Sequence, residues 1–359
     1  MRTLRTSFAG LGNCVVIAIV FAGITPVPVT AKFKQDVVVM KNGDTLTGEI
    51  KRLEHGFLYF KADYMADTVQ LDWRRVARIR TKDEFTILLT SGARYTGTLE
   101  KIPVADPSDE DFLVHTQGSG SSRSSSLDIV TITPMDESFW RQLTGSVNYG
   151  FTLTGGTSTT QSNFAGDVSY RSEKWAGKLD GSSEISRQNG AKNAGRNSVN
   201  LYYYNYRGTR WFVAGTASFL NSEQQDLTAR ATFGGGVGLD VLRRSTSSLQ
   251  FVGGALLSNE TYSPSTASKS GRGADAQLLL RFSKYARFTK FQFTNEFGAF
   301  PSLTTPGRVR MSLQSYVKRE IFKNFNIMFS VYENYDSHPP VVAPKSDFGT
   351  TTSVGWSFP

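Results

Sequence analysis

The chain has 359 residues, 39% of them apolar and 20% charged, with a formal net charge of +9, proportions that alone would suit a soluble protein of about two domains. Against that reading stand a 12% aromatic share, 33 Gly, three His and one Cys, a combination that membrane β-barrels use heavily. One thiol closes neither a disulfide framework nor a Cys-based zinc site, no apolar run beyond the first thirty residues is long enough for a transmembrane helix, and so many large side chains argue against disorder.

Residues 1–31 read as a secretory signal. Arg2 and Arg5 form a basic start, Cys14 to Ala22 an apolar core, Pro26 and Pro28 end any helix, and Val29-Thr30-Ala31 fits a small-residue cleavage site, with cleavage after Ala31. A lipid-modified Cys14 is disfavoured, because Asn13 precedes it and the apolar stretch follows it. The mature chain then carries no thiol and works beyond the cytoplasm, where nucleic acid is a poor partner.

From Lys32 to Asp136 there are 14 Lys+Arg against 16 Asp+Glu, whereas from Glu137 onward there are 24 against 15, so the basic excess belongs to the second region. The first region contains a repeat. Val39 to Ile50, centred on Asn42-Gly43, recurs as Leu88 to Leu99, centred on Ser91-Gly92, and each copy ends on a related phrase, Leu71-Asp72-Trp73-Arg74-Arg75-Val76 or Leu127-Asp128-Ile129-Val130. The turn dipeptides with alternating apolar flanks predict hairpins. Four or five short strands per copy predict two small SH3-like barrels in tandem, at 32–82 and 83–136. Trp73, Arg74 and Arg75 are the docking candidate for a periplasmic protein or cell-wall partner, weighed against a packed Trp73 with solvated arginines. Gly118 to Ser126, Gly and Ser apart from Arg123, reads as a loose loop.

Residues 137–359 change character. Segments of about ten residues carry apolar side chains on one parity and polar ones on the other. Phe348, Thr350, Thr352, Val354, Trp356 and Phe358 alternate with Gly349, Thr351, Ser353, Gly355 and Ser357. About twelve strands follow from Thr144, joined alternately by long polar loops, such as 187–196, 259–273 and 336–345, and by short turns near Glu173-Lys174, Arg207-Gly208, Arg243-Arg244, Ser283-Lys284 and Glu320-Phe322. A soluble sandwich shows no such order of loop lengths. The fold expected is therefore all-β: an antiparallel transmembrane β-barrel of about twelve strands behind the two small modules, in the outer membrane of a Gram-negative bacterium with the modules in the periplasm. The alternating last strand with Trp356 and Phe358 resembles the signal read by the barrel-assembly machinery. Outer-membrane lipids, including anionic lipopolysaccharide, are expected neighbours of the basic barrel.

The inward parity is expected to hold Asp167, Arg171, Lys178, Asp180, Glu184, Arg210, Arg230, Asp240, Asp275, Arg281, Lys290, Glu296, Arg308, Arg310 and Lys318, nine cations against six anions. Mixed charges either line an anion-leaning pore or pair and fill a narrow lumen, and pairing is the cheaper arrangement. Tyr202, Tyr203, Tyr204, Tyr206, Trp175 and Trp211 are expected in an interfacial girdle. Gly234-Gly235-Gly236 and Gly253-Gly254 lack the Lys-Ser/Thr of a phosphate loop and suit bent strands or overlying aromatics. A hydrolase would need a base, and His338 is the sole His in this region. Asp336-Ser337-His338 is contiguous, and neighbours on a strand or loop are expected to point apart rather than converge. No catalytic residue, cofactor or metal set is assigned.

Thr144 to Gly150, the turn Thr154-Gly155-Gly156-Thr157, the strand Asn163 to Tyr170 and the closing stretch Tyr335-Asp336-Ser337-His338-Pro339-Pro340 to Asp347 resemble the YdiY-like salt-induced outer-membrane protein family, a domain of unknown function of the DUF481 type. The resemblance covers residues 140–358 and implies location and architecture, with a structural or stress-linked envelope role, but no catalytic residues. The rivals are a narrow anion-leaning channel and, more weakly, a lipid-modifying enzyme.

Overall fold

The computed structural model describes residues 36–102, 111–116, 120–135, 143–154, 159–172, 174–188, 194–223, 225–263, 271–339 and 344–358. The export signal read at 1–31 lies outside them, and among the described residues there is no α-helix.

The first copy of the repeat comprises β1 (Asp36–Met40), β2 (Thr45–Glu54), β3 (Phe57–Lys61), β4 (Val69–Asp72) and β5 (Val76–Arg80). The second comprises β6 (Phe85–Leu89), β7 (Arg94–Lys101), β8 (Phe112–Thr116), β9 (Gly120–Ser124) and β10 (Ile129–Pro134). Both open on the same hairpin. The Gly43 N–H donates to the Met40 carbonyl at 3.0 Å and the Gly92 N–H to the Leu89 carbonyl at 2.9 Å. Their φ values of +96° and +91° lie in the region that only glycine enters freely. β9 falls inside the Gly/Ser run expected to be a loose loop. It pairs with β8 from Phe112↔Ser124 to Thr116↔Gly120, and the Ser121 hydroxyl meets His115 Nδ1 at 2.9 Å. Small polar side chains leave the backbone free to pair, and an edge strand needs no apolar face on its outer side.

The two copies do not close separately. The last strand of each crosses to the other: β5 pairs with β7 through Ile79↔Lys101 and Arg80↔Glu100, and β10 pairs with β2 through Ile132↔Leu53. The ring β1-β5-β7-β6-β10-β2 closes through the β1–β2 pair, giving one six-stranded barrel in place of the two expected in tandem. Size favours sharing. A module of about fifty residues is marginal by itself because it buries a small fraction of its surface, whereas sharing places Ile50, Leu53, Phe60 and Val76 in one apolar cluster with Phe85, Ile87, Phe112 and Ile132.

That shared core also claims Trp73, which is only 4% exposed. Its indole N–H donates to the Ser126 carbonyl at 2.8 Å, its ring meets Phe112 edge-on at 6.2 Å, and the buried Lys101 ammonium stands 4.7 Å above it. Arg74 and Arg75 are both exposed, Arg74 with an ion pair to Asp72 at 2.8 Å. The docking candidate is thus reduced to the two arginines, because the tryptophan joins the two repeat copies.

The second region is a closed antiparallel barrel. Its strands are β11 (Leu143–Thr154), β12 (Thr159–Arg171), β13 (Trp175–Gln188), β14 (Ala194–Arg207), β15 (Trp211–Ser222), β16 (Leu227–Arg244), β17 (Ser247–Tyr262), β18 (Gly271–Ala286), β19 (Phe291–Pro301), β20 (Val309–Phe322), β21 (Phe325–Asp336) and β22 (Ser346–Phe358). The twelve strands pair in chain order, and β11 meets β22 from Gly145↔Phe358 to Tyr149↔Val354. Lengths of 11 to 18 residues meet or exceed the roughly 9–11 that a tilted strand needs to cross hydrocarbon. The outer wall is apolar and bare: Phe233, Phe348 and Trp356 are 60%, 72% and 53% exposed. This is a barrel of the outer-membrane class. Short turns occupy 208–210, 245–246, 287–290 and 323–324. We call their end, where β11 begins and β22 finishes, the near end. The expected turns at Arg243-Arg244, Ser283-Lys284 and Glu320-Phe322 are strand instead, since hydrogen bonding continues after side-chain hydropathy falls off toward the headgroup zone.

Trp73→Ala is expected to lower the stability of the N-terminal barrel by about 3–5 kcal/mol, while Arg75→Ala stays within about 0.5 kcal/mol. Denaturant unfolding followed in the full-length chain checks both, and equal effects would contradict the core assignment.

Candidate functional site in the barrel interior

The strand registers carry one parity of each strand inward, and the lumen is narrow enough for side chains from non-adjacent strands to meet. At the far end the Glu260 carboxylate of β17 is a hub. It accepts from Arg230 Nε of β16 at 2.8 Å, from Arg308 Nη1 of the β19–β20 connection at 3.1 Å, from Arg310 Nη1 of β20 at 3.3 Å and from the Tyr262 hydroxyl at 2.7 Å. Arg308 also grips Asp336 at 2.6 Å, and Arg310 pairs with Asp275 of β18. Across the same end Arg196 of β14 pairs with Asp347 of β22 at 2.7 Å, and the Ser222 hydroxyl adds a bond at 3.2 Å.

Midway down, Arg281 of β18 pairs with Glu296 of β19 and donates to the Tyr204 hydroxyl of β14. Its guanidinium lies 4.8 Å from the centroid of the Tyr202 ring. Phe212, 1% exposed, packs edge-on to Tyr204 at 5.8 Å and joins Val252 and Leu279 in an apolar plug. The ring lies over Gly238, where any Cβ would overlap it, and a Cβ on Gly236 would meet Gly254 of β17 at 2.8 Å. These glycines thus serve close backbone and ring contacts. The void beside Tyr202, Tyr204 and Arg281 is about 10 Å³, which is room for at most one water. Below, Lys178 meets Asp180 at 3.2 Å, Asn200 Nδ2 donates to Asp180 at 2.8 Å, and the Ser146 hydroxyl donates to Asp167 at 2.5 Å.

Of the residues expected inside, Asp167, Lys178, Asp180, Glu184, Arg230, Asp240, Asp275, Arg281, Glu296, Arg310 and Lys318 lie on inward positions of strands. Arg308 reaches inward from just before β20. Arg171 keeps the inward register at the near end of β12, exposed at the mouth with its guanidinium 5.2 Å from the centroid of the Tyr206 ring. Two sit elsewhere: Arg210 is exposed in the 208–210 turn, and Lys290 occupies the 287–290 turn, 3.5 Å from Glu320. Sequence reasoning missed Arg196, Arg243, Glu260, Glu320, Asp336 and Asp347. Glu260 and Asp336 had been assigned to loops, although β17 and β21 extend through them. With these included, Arg171, Lys178, Arg196, Arg230, Arg243, Arg281, Arg308, Arg310 and Lys318 face Asp167, Asp180, Glu184, Asp240, Glu260, Asp275, Glu296, Glu320, Asp336 and Asp347 among the described residues. The expected cationic excess is gone. The tyrosines were also misplaced: Tyr202, Tyr204 and Tyr206 alternate inward, and Tyr203 alone of the four is outward, against Trp175 at 6.0 Å.

Ser337 and His338 do converge, contrary to expectation: His338 Nδ1 is 2.9 Å from Ser337 Oγ. Yet Ser337 Oγ accepts from the Val309 N–H at 2.8 Å, and Asp336 is held by Arg308 and by the His338 backbone N–H at 3.0 Å. The carboxylate therefore does not orient the imidazole, and the three groups form a loop staple rather than a proton relay.

The N-terminal barrel lies across the near mouth. The ring of His55, at the tip of the β2–β3 hairpin, stacks on Tyr285 at 4.3 Å, and Asp67 pairs with Lys323 in the β20–β21 turn. Across the ring, Arg94 covers Tyr206 at 4.4 Å and Gly92 abuts Thr209 in the β14–β15 turn. Those two turns are half the circle of strands apart, so the domain spans the opening. Burial is the largest influence on His55 and pushes its imidazole below the ordinary 6.5; Lys318 and Arg52 act in the same direction and Glu54 opposes them. The same neighbours, His55, Arg52 and Lys318, outweigh burial at Glu54 and hold that carboxyl low.

Arg308→Ala leaves Glu260 and Asp336 short of a buried partner and is expected to cost the barrel about 3–5 kcal/mol, read as an earlier unfolding midpoint in micelles. Above pH 6.5 His55 is neutral whether docked or free. Below it the free ring protonates first, so docking weakens as pH falls from 6.5 toward the depressed value. Hydrogen exchange at the β2–β3 tip, corrected for intrinsic rates, is expected to rise across that window, and His55→Phe to flatten the rise.

Several solved barrels share this outline at low similarity. The translocator domain of the autotransporter NalP from Neisseria meningitidis aligns with 14% identity and a TM-score of 0.36 over 60% of this chain and 87% of that one. The β domain of the Bordetella autotransporter BrkA aligns with 10% identity and a TM-score of 0.32, over 60% and 98%. A bacterial polysaccharide outer-membrane secretin gives 10% and 0.33, over 60% and 97%. No curated protein matches the chain. The family signature described as "Protein of unknown function, DUF481" matches residues 147–358.

Proposed function

The chain belongs to DUF481, a family of proteins of unknown function, and we propose that it is a non-enzymatic, non-conducting outer-membrane anchor that holds its N-terminal barrel in the periplasm. The observation that carries this reading is the pairing of charges across the lumen, with Glu260 shared by Arg230, Arg308 and Arg310. An anion-leaning pore built on side chains presents uncompensated positive charge along a wet path. Here opposite charges neutralise one another, Phe212 and Tyr204 fill the middle, and the N-terminal barrel covers the near mouth.

Orientation follows from an even strand count, which puts both barrel ends on one face, together with short turns at that face, the periplasmic pattern of bacterial barrels. On this reading residues 1–31 export the chain, the barrel-assembly machinery inserts it through the strand ending at Trp356 and Phe358, and the far loops stand among lipopolysaccharide. The periplasmic barrel then presents Arg74, Arg75 and its outer edges to a protein or cell-wall partner. A stress-linked role rests on family resemblance alone.

Two measurements test the reading. In planar bilayers the purified chain is expected to give no steady unit currents; their appearance would sink the closed-lumen interpretation. Protease added to intact cells is expected to spare the N-terminal barrel and to cut it once the outer membrane is permeabilised, and cleavage in intact cells would reverse the orientation.

A further inference from the structure

The outer wall of the barrel is electrically lopsided. Toward the near end four strands carry an exposed, outward cation at or within three residues of their last position: Arg207 on β14, Arg244 on β16, Lys284 on β18 and Arg319 on β20. None has an ion-pair partner among the described residues. No carboxylate shares that part of the outer wall among the described residues; Glu333, the acid on the outward parity, lies three residues from the far end of β21. Three of the cations stand against outward aromatic rings, Arg207 opposite Trp211, Lys284 opposite Phe293, and Arg319 over Phe291 at 5.2 Å. An aromatic ring beside a long basic side chain is the arrangement of a membrane interface, with the ring in the apolar boundary and the charge reaching the headgroups.

We propose that this rim is a binding surface for anionic phospholipids, each cation taking the phosphate of one headgroup. Spacing favours single headgroups over one polyphosphorylated ligand. The four cations come from every second strand and therefore stand roughly 10 Å apart along the rim, too far to converge on one molecule but suited to an annulus of separate lipids. Charge complementarity supplies the attraction, because a leaflet carrying anionic lipid draws basic side chains at its surface. The choice of phospholipid over lipopolysaccharide rests on the orientation proposed above, and the protease test of orientation is independent of any lipid measurement.

The test uses the full-length chain in detergent at low salt, titrated with dioleoylphosphatidylglycerol or dioleoylphosphatidylcholine and read by native mass spectrometry. Phosphatidylglycerol is expected to be retained at least tenfold more strongly, and R207Q/R244Q/K284Q/R319Q to bring it down to the phosphatidylcholine level. Arg272→Gln, at the far end, is expected to leave retention unchanged. Should the fourfold variant not fold, R207Q/R244Q and K284Q/R319Q separately are each expected to remove about half of the bound lipid. Retention by the folded fourfold variant within twofold of the unaltered chain, retention by both double variants equal to that of the unaltered chain, equal retention of the two lipids, or competition by an equal concentration of inorganic phosphate would overturn the proposal. Lipopolysaccharide displacing phosphatidylglycerol from the same residues would overturn it too.

Discussion

Hydrocarbon offers a polypeptide no hydrogen-bond partner, so a sheet that enters it must satisfy every backbone group within itself. The pairing of β11 with β22, from Gly145↔Phe358 to Tyr149↔Val354, meets that demand, and the rest of the structure follows from it. Closure sends one parity of each strand to lipid and gathers the other into a space only a few side chains wide. Charges brought there cannot keep their water, so they need partners from across the lumen. Arg230, Arg308 and Arg310 converge on Glu260 for that reason, and the attraction between them offsets desolvation that none could bear alone.

The lumen is divided between two ways of filling space. On the β15–β19 side, Phe212, Val252, Leu279 and Phe300 pack as in a soluble core. On the β21–β22–β11–β12 side the wall is amide and hydroxyl, with Asn148, Asn163, Asn326 and Ser353 buried. The Arg281–Tyr204 contact lies between these halves, its guanidinium serving Glu296 as a charge and the tyrosine rings as a cation on a π face.

How much of this could be read beforehand varied with the range of the cause. Strand number and facing of the barrel were legible because parity is local: Val309, Met311 and Leu313 alternate with Arg310 and Ser312 whatever lies elsewhere. Strand ends were not, since β17 runs on to Tyr262 and β21 to Asp336 through polar residues, and that placed Glu260 and Asp336 in loops and left an apparent surplus of cations. The repeat was visible in Asn42-Gly43 and Ser91-Gly92, but its closure was not. Which strand β5 and β10 choose is decided by the burial of Ile79 and Ile132 in a core assembled from both copies, and no local pattern records it. Trp73 beside two arginines looked like a surface motif for the same reason, as its partners Phe112 and Ser126 come from the other copy.

The exchange of β5 and β10 between repeat copies bears on how the domain comes into being. Ile132 must find Leu53 before the ring is complete, and contacts so far apart along a chain form late. Until the second copy is complete the first has no closed ring in which to bury Ile50, Leu53 and Val76, so the duplication that gave the domain its core also bound its two halves into a single folding unit.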